Sequence, residues 1–155
     1  MTDRKQKAYD YFKRGYGCAP AVLMAFEDVL PLDKDTLEAV SVAFGCGFGN
    51  TKNLCGAVSA MGFVTGLVRR RSDGVPINKA EIYRVVSALD SEFKARNNGT
   101  DNCPELLSQI RRLTENYVPD VPSPAPDGIR PCIKFVLDSV DIIESELRRE
   151  DMISD

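Results

Sequence analysis

The chain has 155 residues, of which 43% are hydrophobic and 28% are charged, and its formal net charge is −3. These values are typical of a globular protein, and the length suits one domain with a core of its own. The acidic balance and the lack of aromatic residues interleaved with basic ones argue against nucleic-acid binding. We therefore expect residues 1–155 to form a single domain that binds no nucleic acid.

The spacing of apolar residues predicts helices along the whole chain. In chain order the predicted helices cover residues 8–15, 22–30, 37–44, 54–70, 82–93, 106–113 and 133–147. Pro31 ends the second helix, Asp33 or Asp35 caps the third, and Asn78 with Glu81 forms a capping box before the fifth. Residues 117–131 hold five prolines and predict an extended loop. No segment alternates as a strand does, so the sequence predicts an all-α bundle of about six or seven helices.

The N-terminal residues contain no apolar run of the kind found in signal peptides, so we expect none. The longest weakly polar run, residues 54–68, is shorter than the roughly 20 residues that a membrane-spanning helix needs. Gly62 and Gly66 in this run fit the GxxxG pattern, which predicts close packing against another helix. We expect a cytoplasmic protein that is not associated with a membrane.

The chain contains no histidine and five cysteines. Without histidine there is no Ser–His or Cys–His catalysis and no imidazole ligand for a metal. In the reducing cytoplasm, thiols are more often buried, catalytic or metal-binding than paired in permanent disulfides. The odd number of cysteines also means that they cannot all pair within one chain.

Four of the five cysteines are predicted in the first turn of four different helices. They are Cys18, Cys55, Cys103 and Cys132. The proline after Cys103 and the one before Cys132 support these placements, because proline is favoured where a helix begins. Cys46 differs from the other four, since it lies within the glycine-rich turn "GCGFGN".

A thiol in the first turn of a helix has chemical consequences that a thiol in mid-helix does not. Unpaired amide groups and the positive end of the helix dipole favour the thiolate, the form that attacks disulfides and binds metals. We therefore predict that these four cysteines carry reversible disulfide or electron-transfer chemistry, in which one thiolate attacks and a neighbour resolves. Cys55 is expected to be the most reactive, because the glycine turn before it should leave it accessible.

Two other interpretations stay open. The same four cysteines, Cys18, Cys55, Cys103 and Cys132, could bind zinc or an iron–sulfur cluster. The chain has no CxxC pair, so such a site would have to be assembled from distant helices. Alternatively, the protein is a helical binding or scaffold domain with inert cysteines. Whether it is a thiol oxidoreductase, which redox partner it has and how it oligomerises stay open as well.

The glycine turn and the paired carboxylates have simpler interpretations. "GCGFGN" follows a predicted helix and lacks the spacing of a nucleotide-binding loop. Its glycines are therefore predicted to let the backbone approach closely where the third and fourth helices meet. The neighbouring acids at Glu27 and Asp28, and at Glu144 and Glu146, are predicted to lie on solvated helix faces.

Four segments of the chain resemble the C_GCAxxG_C_C family, whose members are described as redox-active. These are "GYGCAPAVLMAF", "FGCGFGNTKNLCGAVSAMGFVTGL", "CPEL" and "CIKFVLDSV", and the resemblance covers residues 11–143. It implies that the family cysteines are Cys18, Cys55, Cys103 and Cys132, with matching glycines at Gly45, Gly47, Gly49 and Gly56. Two positions depart from the family pattern: Cys46 stands where a small residue such as glycine is expected, and Ala60 replaces a glycine. The resemblance names no substrate or cofactor.

Overall fold

The structure is a computed structural model that describes residues 1–113 and 131–154. Its helices, in chain order, are α1 (Asp3–Lys13), α2 (Cys18–Met24), α3 (Lys34–Ser41), α4 (Gly45–Phe48, a single turn whose backbone is left-handed from Cys46 onward), α5 (Gly56–Val68), α6 (Lys79–Arg96), α7 (Cys103–Leu113) and α8 (Ile133–Arg149). In these ranges the only β-structure is an isolated bridge between Leu54 and Asn102. The predicted all-α class is confirmed. The proline-rich segment predicted as a loop lies outside the described residues, except for Pro131.

Two helix boundaries differ from the predicted ones because apolar spacing does not distinguish an α-helix from tighter turns. The predicted second helix extends to residue 30, but α2 ends at Met24 and the chain continues in turns. In these turns the amide of Phe26 donates to Leu23 at 3.0 Å, three residues back. Likewise, the predicted third helix is α3 followed by a 3-10 helix, Val42–Phe44.

Helices α2 and α5 lie at the centre of the fold. Helix α5 packs against α2, α6 and α8, while α2 also packs against α1 and α3. The large side chains that are fully buried include Leu23, Phe26, Met61, Phe93 and Phe135. Removing such apolar surfaces from water stabilises the bundle by about 25 cal/mol for each Å² buried. This core fixes the positions at which α2, α5 and α8 begin.

A buried amide fixes the start of α8 against the end of α6. Asn97 is 2% exposed, and its Nδ2 donates to the Phe93 carbonyl at 2.9 Å and to Asp138 at 3.2 Å. Its Oδ1 accepts a hydrogen bond from Lys134 Nζ at 2.9 Å. Lys134 also pairs with Asp138 at 2.6 Å. These partners satisfy the buried polar groups and hold the first turns of α8, beside Cys132, in one orientation.

Two predictions about which helix faces are buried or closely packed are wrong. Gly62 and Gly66 do not mark a close helix contact, because a β-carbon added at either would meet no neighbouring atom within 4 Å. Glu144 is not on a solvated face but only 5% exposed, where it accepts hydrogen bonds from Thr2 and Arg148. In both cases the outcome depends on which helix faces meet, and helical spacing alone does not specify this.

Candidate functional site

All five cysteines line one cavity of about 300 Å³. The cysteines are Cys18, Cys46, Cys55, Cys103 and Cys132. The other described residues that line it are Lys52, Gly56 and the apolar residues Leu106, Leu107, Pro131 and Phe135. Residues from both halves of the chain thus contribute thiols to the same space, which we call the sulfur cavity.

Four helices begin at the sulfur cavity, as the positions of the cysteines predict. Cys18 and Cys103 are the first residues of α2 and α7. Cys55 and Cys132 are the residues immediately before α5 and α8, in the capping position. The positive ends of these helix dipoles therefore lie next to the thiols.

The bridge between Leu54 and Asn102 holds the starts of α5 and α7 side by side. The amide of Cys55 donates to the carbonyl of Asp101 at 2.9 Å, and the amide of Cys103 donates to that of Asn53 at 2.8 Å. In this antiparallel pairing Cys55 and Cys103 each follow a bridge residue, so both lie on the face opposite the bridge side chains. The backbone alone thus brings the two cysteines to the same side.

The glycine-rich turn before α5 has a left-handed backbone, although only two of its five residues are glycine. Its φ values are 51° at Cys46, 71° at Gly47, 75° at Phe48, 57° at Gly49 and 65° at Asn50. A left-handed conformation costs roughly 1–2 kcal/mol for each residue that carries a β-carbon. Hydrogen bonds hold the turn, including one from the Asn53 amide to the Gly47 carbonyl at 2.8 Å. We call residues 46–50 the left-handed turn.

Two glycines allow close approach of the backbone, but the one in the glycine turn does so against the start of α7 and not where the third and fourth predicted helices meet. A β-carbon on Gly47 would lie 2.9 Å from the β-carbon of Cys103, so the left-handed turn packs directly on the start of α7. A β-carbon on Gly56 would lie 2.7 Å from the carbonyl oxygen of Phe44. Both distances are shorter than real side-chain contacts, so only glycine fits at these positions without displacement of the backbone.

The five thiols differ in their access to solvent. Cys46 is exposed, Cys18, Cys103 and Cys132 are half-buried, and Cys55 is only 5% exposed. The expectation that the glycine turn leaves Cys55 accessible is therefore wrong. Packing of α5 against its neighbours covers the sulfur, while the turn presents Cys46 in its place. None of the five cysteines, all of which the structure describes, is in a disulfide.

Burial also changes the expected order of reactivity. It raises the pKa of the Cys55 thiol to about 12, although the amides of Ala57 and Val58 act in the opposite direction. The helix start does favour the thiolate there, but desolvation of the charge is the larger effect. A thiol with such a pKa is almost entirely protonated at neutral pH, so Cys55 is a poor first nucleophile.

Lys52 is a member of the site that the sequence patterns did not reveal. Burial raises the pKa of Cys103, the Lys52 ammonium lowers it, and neighbouring Cys46 and Cys132 raise it again. Lys52 lies next to the left-handed turn, and its own φ is 63°. Because it sits six positions after Cys46 and three before Cys55, its closeness to two cysteines in sequence was the available signal.

Cys46 lies with the other thiols although its position in the sequence set it apart. It lines the sulfur cavity and is near enough to Cys103 to influence its pKa. Within the described residues, no group of three or more Cys, Asp or Glu side chains is arranged to hold a metal ion. In the same residues, no helix is long and apolar enough to cross a membrane.

Residues 16–146 match the family described as "Putative redox-active protein (C_GCAxxG_C_C)". The chain belongs to the C_GCAxxG_C_C family. This agrees with the resemblance found in the sequence, and the match spans every cysteine of the sulfur cavity. No curated protein and no solved structure matches the chain. Membership of the C_GCAxxG_C_C family supports a role in redox chemistry.

Proposed function

We propose that this chain is a thiol redox protein that stores and exchanges electron pairs as disulfides within the sulfur cavity. The participating thiols are those of Cys18, Cys55, Cys103 and Cys132. The observation that carries the proposal is that one cavity of about 300 Å³ collects cysteines from the starts of four helices. The family description supports a role in redox chemistry.

The reaction needs an external disulfide as its partner. Two cavity thiols lose two protons and two electrons and form one S–S bond, and the external disulfide takes up both and becomes two thiols. The reverse reaction reduces a disulfide outside the protein. The protein is then a thiol oxidoreductase, or an electron carrier if its partner is another protein.

Cys103 is the best candidate for the nucleophile among these four cysteines. It is half-buried rather than buried. Burial raises the pKa of Cys103 above its ordinary value, and the Lys52 ammonium acts against this rise. Cys55 is better suited to hold a disulfide than to begin one, because its sulfur is covered and its pKa is about 12. Burial of its sulfur therefore makes Cys55, which the sequence favours, a poorer nucleophile than Cys103.

The proposal also covers the compartment in which the protein acts and the number of its domains. A cytoplasmic location fits, because a reducing compartment keeps thiols available for reversible oxidation. We also propose that residues 1–155 act as a single helical domain, since the described helices share one core.

A redox titration tests the proposal. The purified protein is equilibrated in mixtures of reduced and oxidised dithiothreitol, quenched with an alkylating agent, and its remaining thiols are counted by mass spectrometry. We expect thiols to disappear in pairs, within the monomer, along a reversible two-electron curve. Ser variants of Cys18, Cys55, Cys103 and Cys132, made one at a time, should each abolish or shift a transition. Five alkylated thiols in every mixture would contradict the proposal.

The metal interpretation uses the same thiols and needs its own measurement. Thiolates are the ligands of zinc and iron–sulfur clusters, and the sulfur cavity gathers five cysteines. The protein is purified without oxygen, its visible spectrum recorded, and its iron and zinc content determined. A stoichiometric metal that is lost in the Cys103→Ser and Cys132→Ser variants would favour a metal centre over disulfide exchange. Redox-inert thiols without metal would leave the scaffold interpretation.

A further inference from the structure

The five cysteines of the sulfur cavity differ stepwise in their exposure to solvent. Cys46 is the only exposed cysteine of the five, and three half-buried cysteines lie between it and buried Cys55 in exposure. A disulfide from solution therefore meets Cys46 with the least obstruction. Disulfide exchange requires the attacking sulfur to line up with both sulfurs of the target, so access has a direct effect on its rate.

The backbone next to Cys46 packs against Cys103. Gly47, its neighbour in sequence, packs on Cys103 so closely that a β-carbon there would lie 2.9 Å from the β-carbon of Cys103. Cys46 and Cys103 also line the same cavity. A mixed disulfide on Cys46 therefore shares its cavity with the thiol of Cys103, which can resolve it.

The charge at the cavity selects among possible disulfides. Lys52 is the only charged side chain among the described residues that line it, and no carboxylate is among them. The other lining residues are cysteines, Gly56 and apolar side chains. A volume of about 300 Å³ is at the small end of the range for small-molecule sites. A disulfide with carboxylate groups therefore matches the charge at the cavity better than a cationic one.

We propose that Cys46 is a fifth redox thiol, which makes the first attack on small anionic disulfides and passes the sulfur bond to Cys103, with Lys52 attracting the anion. This proposal rests on the disulfide chemistry of the proposed function. It assigns a role to the cysteine that departs from the family pattern.

The sequence of bonds is balanced in two steps. The Cys46 thiolate attacks one sulfur of the external disulfide RSSR, so that a Cys46–S–S–R bond forms and one RS⁻ leaves. The Cys103 thiolate then attacks the Cys46 sulfur, so that a Cys46–Cys103 disulfide forms and the second RS⁻ leaves. The two protons from the protein thiols end on the two RS⁻ groups. The external disulfide is reduced, and the protein is oxidised by two electrons.

Trapping of the mixed disulfide tests the order of attack. Oxidised glutathione, a small disulfide with carboxylates, is added to the reduced Cys103→Ser variant, and the modified cysteine is identified by peptide mass spectrometry. We expect glutathione on Cys46, because the second step is blocked. In the otherwise unchanged protein, Cys46→Ser and Cys46→Gly should both slow the first reaction by about tenfold or more. The glycine variant removes the thiol without straining the left-handed turn, so a misfolded turn cannot explain its loss.

A charge series tests the role of Lys52. The rates of reaction with oxidised glutathione, neutral bis(2-hydroxyethyl) disulfide and cationic cystamine are compared at low salt. We expect the anionic disulfide to be favoured, and Lys52→Gln to reduce its advantage over cystamine by about threefold to tenfold. Lys79→Gln is the matched control, because Lys79 is exposed and does not line the cavity. Equal effects of the two variants would overturn the role of Lys52.

The outcomes separate this inference from the proposed function. If the wild-type protein forms disulfides but Cys46→Ser and Cys46→Gly react at the wild-type rate, the role of Cys46 is wrong and the proposed function stands. Glutathione trapped mainly on another cysteine would overturn the inference in the same way. If no variant and no wild-type protein forms an internal disulfide with any of the three reagents, both proposals fail.

Discussion

The helices that begin at the sulfur cavity differ from the other helices in how their first turns are capped. Away from the sulfur cavity, the side chains of Thr2, Asp33 and Asn78 accept amide hydrogen bonds and cap α1, α3 and α6. At the cavity, α2, α5 and α8 begin at a cysteine and have no side-chain cap hydrogen bond. Only α7 combines a cysteine start with a cap, in which the Asn102 Oδ1 accepts from the Glu105 amide at 3.3 Å.

The missing caps lower the stability of the helices that begin at the sulfur cavity. A side-chain cap is worth about 1 kcal/mol, and three of the four helices that begin at the cavity lack one. At these helix starts the positive end of the dipole acts on a sulfur atom instead of on a capping oxygen. Burial then sets how far each thiolate is favoured, so the thiols are not equivalent. The following predictions test this contrast, from the largest expected effect to the smallest.

The alkylation rates of Cys46 and Cys55 should differ most. Because burial raises its pKa to about 12, the Cys55 thiol is almost entirely protonated at pH 8, and the sulfur is covered as well. We expect iodoacetamide to label Cys46 at least about a hundredfold faster than Cys55 in the folded protein. Labelling of Cys55 should rise about tenfold for each pH unit while the fold persists.

Peptide mass spectrometry over time gives both rates in one sample. Labelling in concentrated urea is the control, because unfolding removes the burial and should bring the two rates close together. If Cys55 reacts as fast as Cys46 in the folded protein, the helix start dominates over burial and the proposed order of thiol reactivity is wrong.

Alanine at the two tightly packed glycines should destabilise the protein. At Gly47 the new β-carbon meets Cys103, and the left-handed backbone adds strain, so Gly47→Ala should lower the free energy of unfolding by about 2–4 kcal/mol. Gly56→Ala, which meets the Phe44 carbonyl, should cost about 1–3 kcal/mol. Urea unfolding followed by circular dichroism measures both changes.

Gly62→Ala is the matched control for these variants. Gly62 lies in the middle of α5 with no atom near its missing β-carbon, so alanine should stabilise the protein by about 0.5–1 kcal/mol. If all three variants change stability equally, the close approach at the cavity is not what requires glycine.

Removal of a conventional cap should have a smaller effect. Asn78 Oδ1 accepts from the Glu81 amide at 3.3 Å, and Asn78→Ala should reduce the free energy of unfolding by about 1 kcal/mol. Asn78→Ser keeps a capping oxygen and should stay close to wild type. Both variants should retain the wild-type rates of thiol labelling. A change in those rates would mean that loss of the α6 cap also alters the helix starts at the sulfur cavity.

Replacing Cys46 by glycine should have the smallest effect on stability. Cys46 has a φ of 51°, which glycine adopts without steric strain, although glycine loses more entropy on folding. The relief of strain and the greater loss of entropy nearly cancel, so we expect Cys46→Gly to be neutral or stabilising by less than about 1 kcal/mol. The same urea experiment measures it. A loss of more than about 2 kcal/mol would indicate that the cysteine is retained for packing.

Local patterns in the sequence were enough to predict most of the helices and the cysteines that lie at four of their starts. The apolar spacing gave α5, α6 and α8, and Asn78 with Glu81 gave the cap of α6. Prolines beside Cys103 and Cys132 marked two of the helix starts at the cavity. These features depend on neighbours within a few residues, and this is why they are readable without a structure.

Features that depend on distant contacts were not predictable in the same way. The burial of Cys55 results from packing by other helices, and the role of Lys52 depends on a cysteine 51 positions away in the sequence. The left-handed turn includes Cys46 and Phe48, which local propensity would not assign to that conformation. Gly62 and Gly66 matched a packing pattern, yet the helix face that carries them has no close neighbour at these positions.

The pairing of cysteines after mild oxidation tests the central claim most directly. The reduced protein is treated with a slight excess of oxidised glutathione, alkylated and digested without reduction, and the disulfide-linked peptides are identified by mass spectrometry. Our account predicts monomeric protein in which Cys103 is linked to Cys46 first, and in which later disulfides join only cysteines of the sulfur cavity. Five cysteines that all remain reduced, or that are linked only between different molecules, would contradict it.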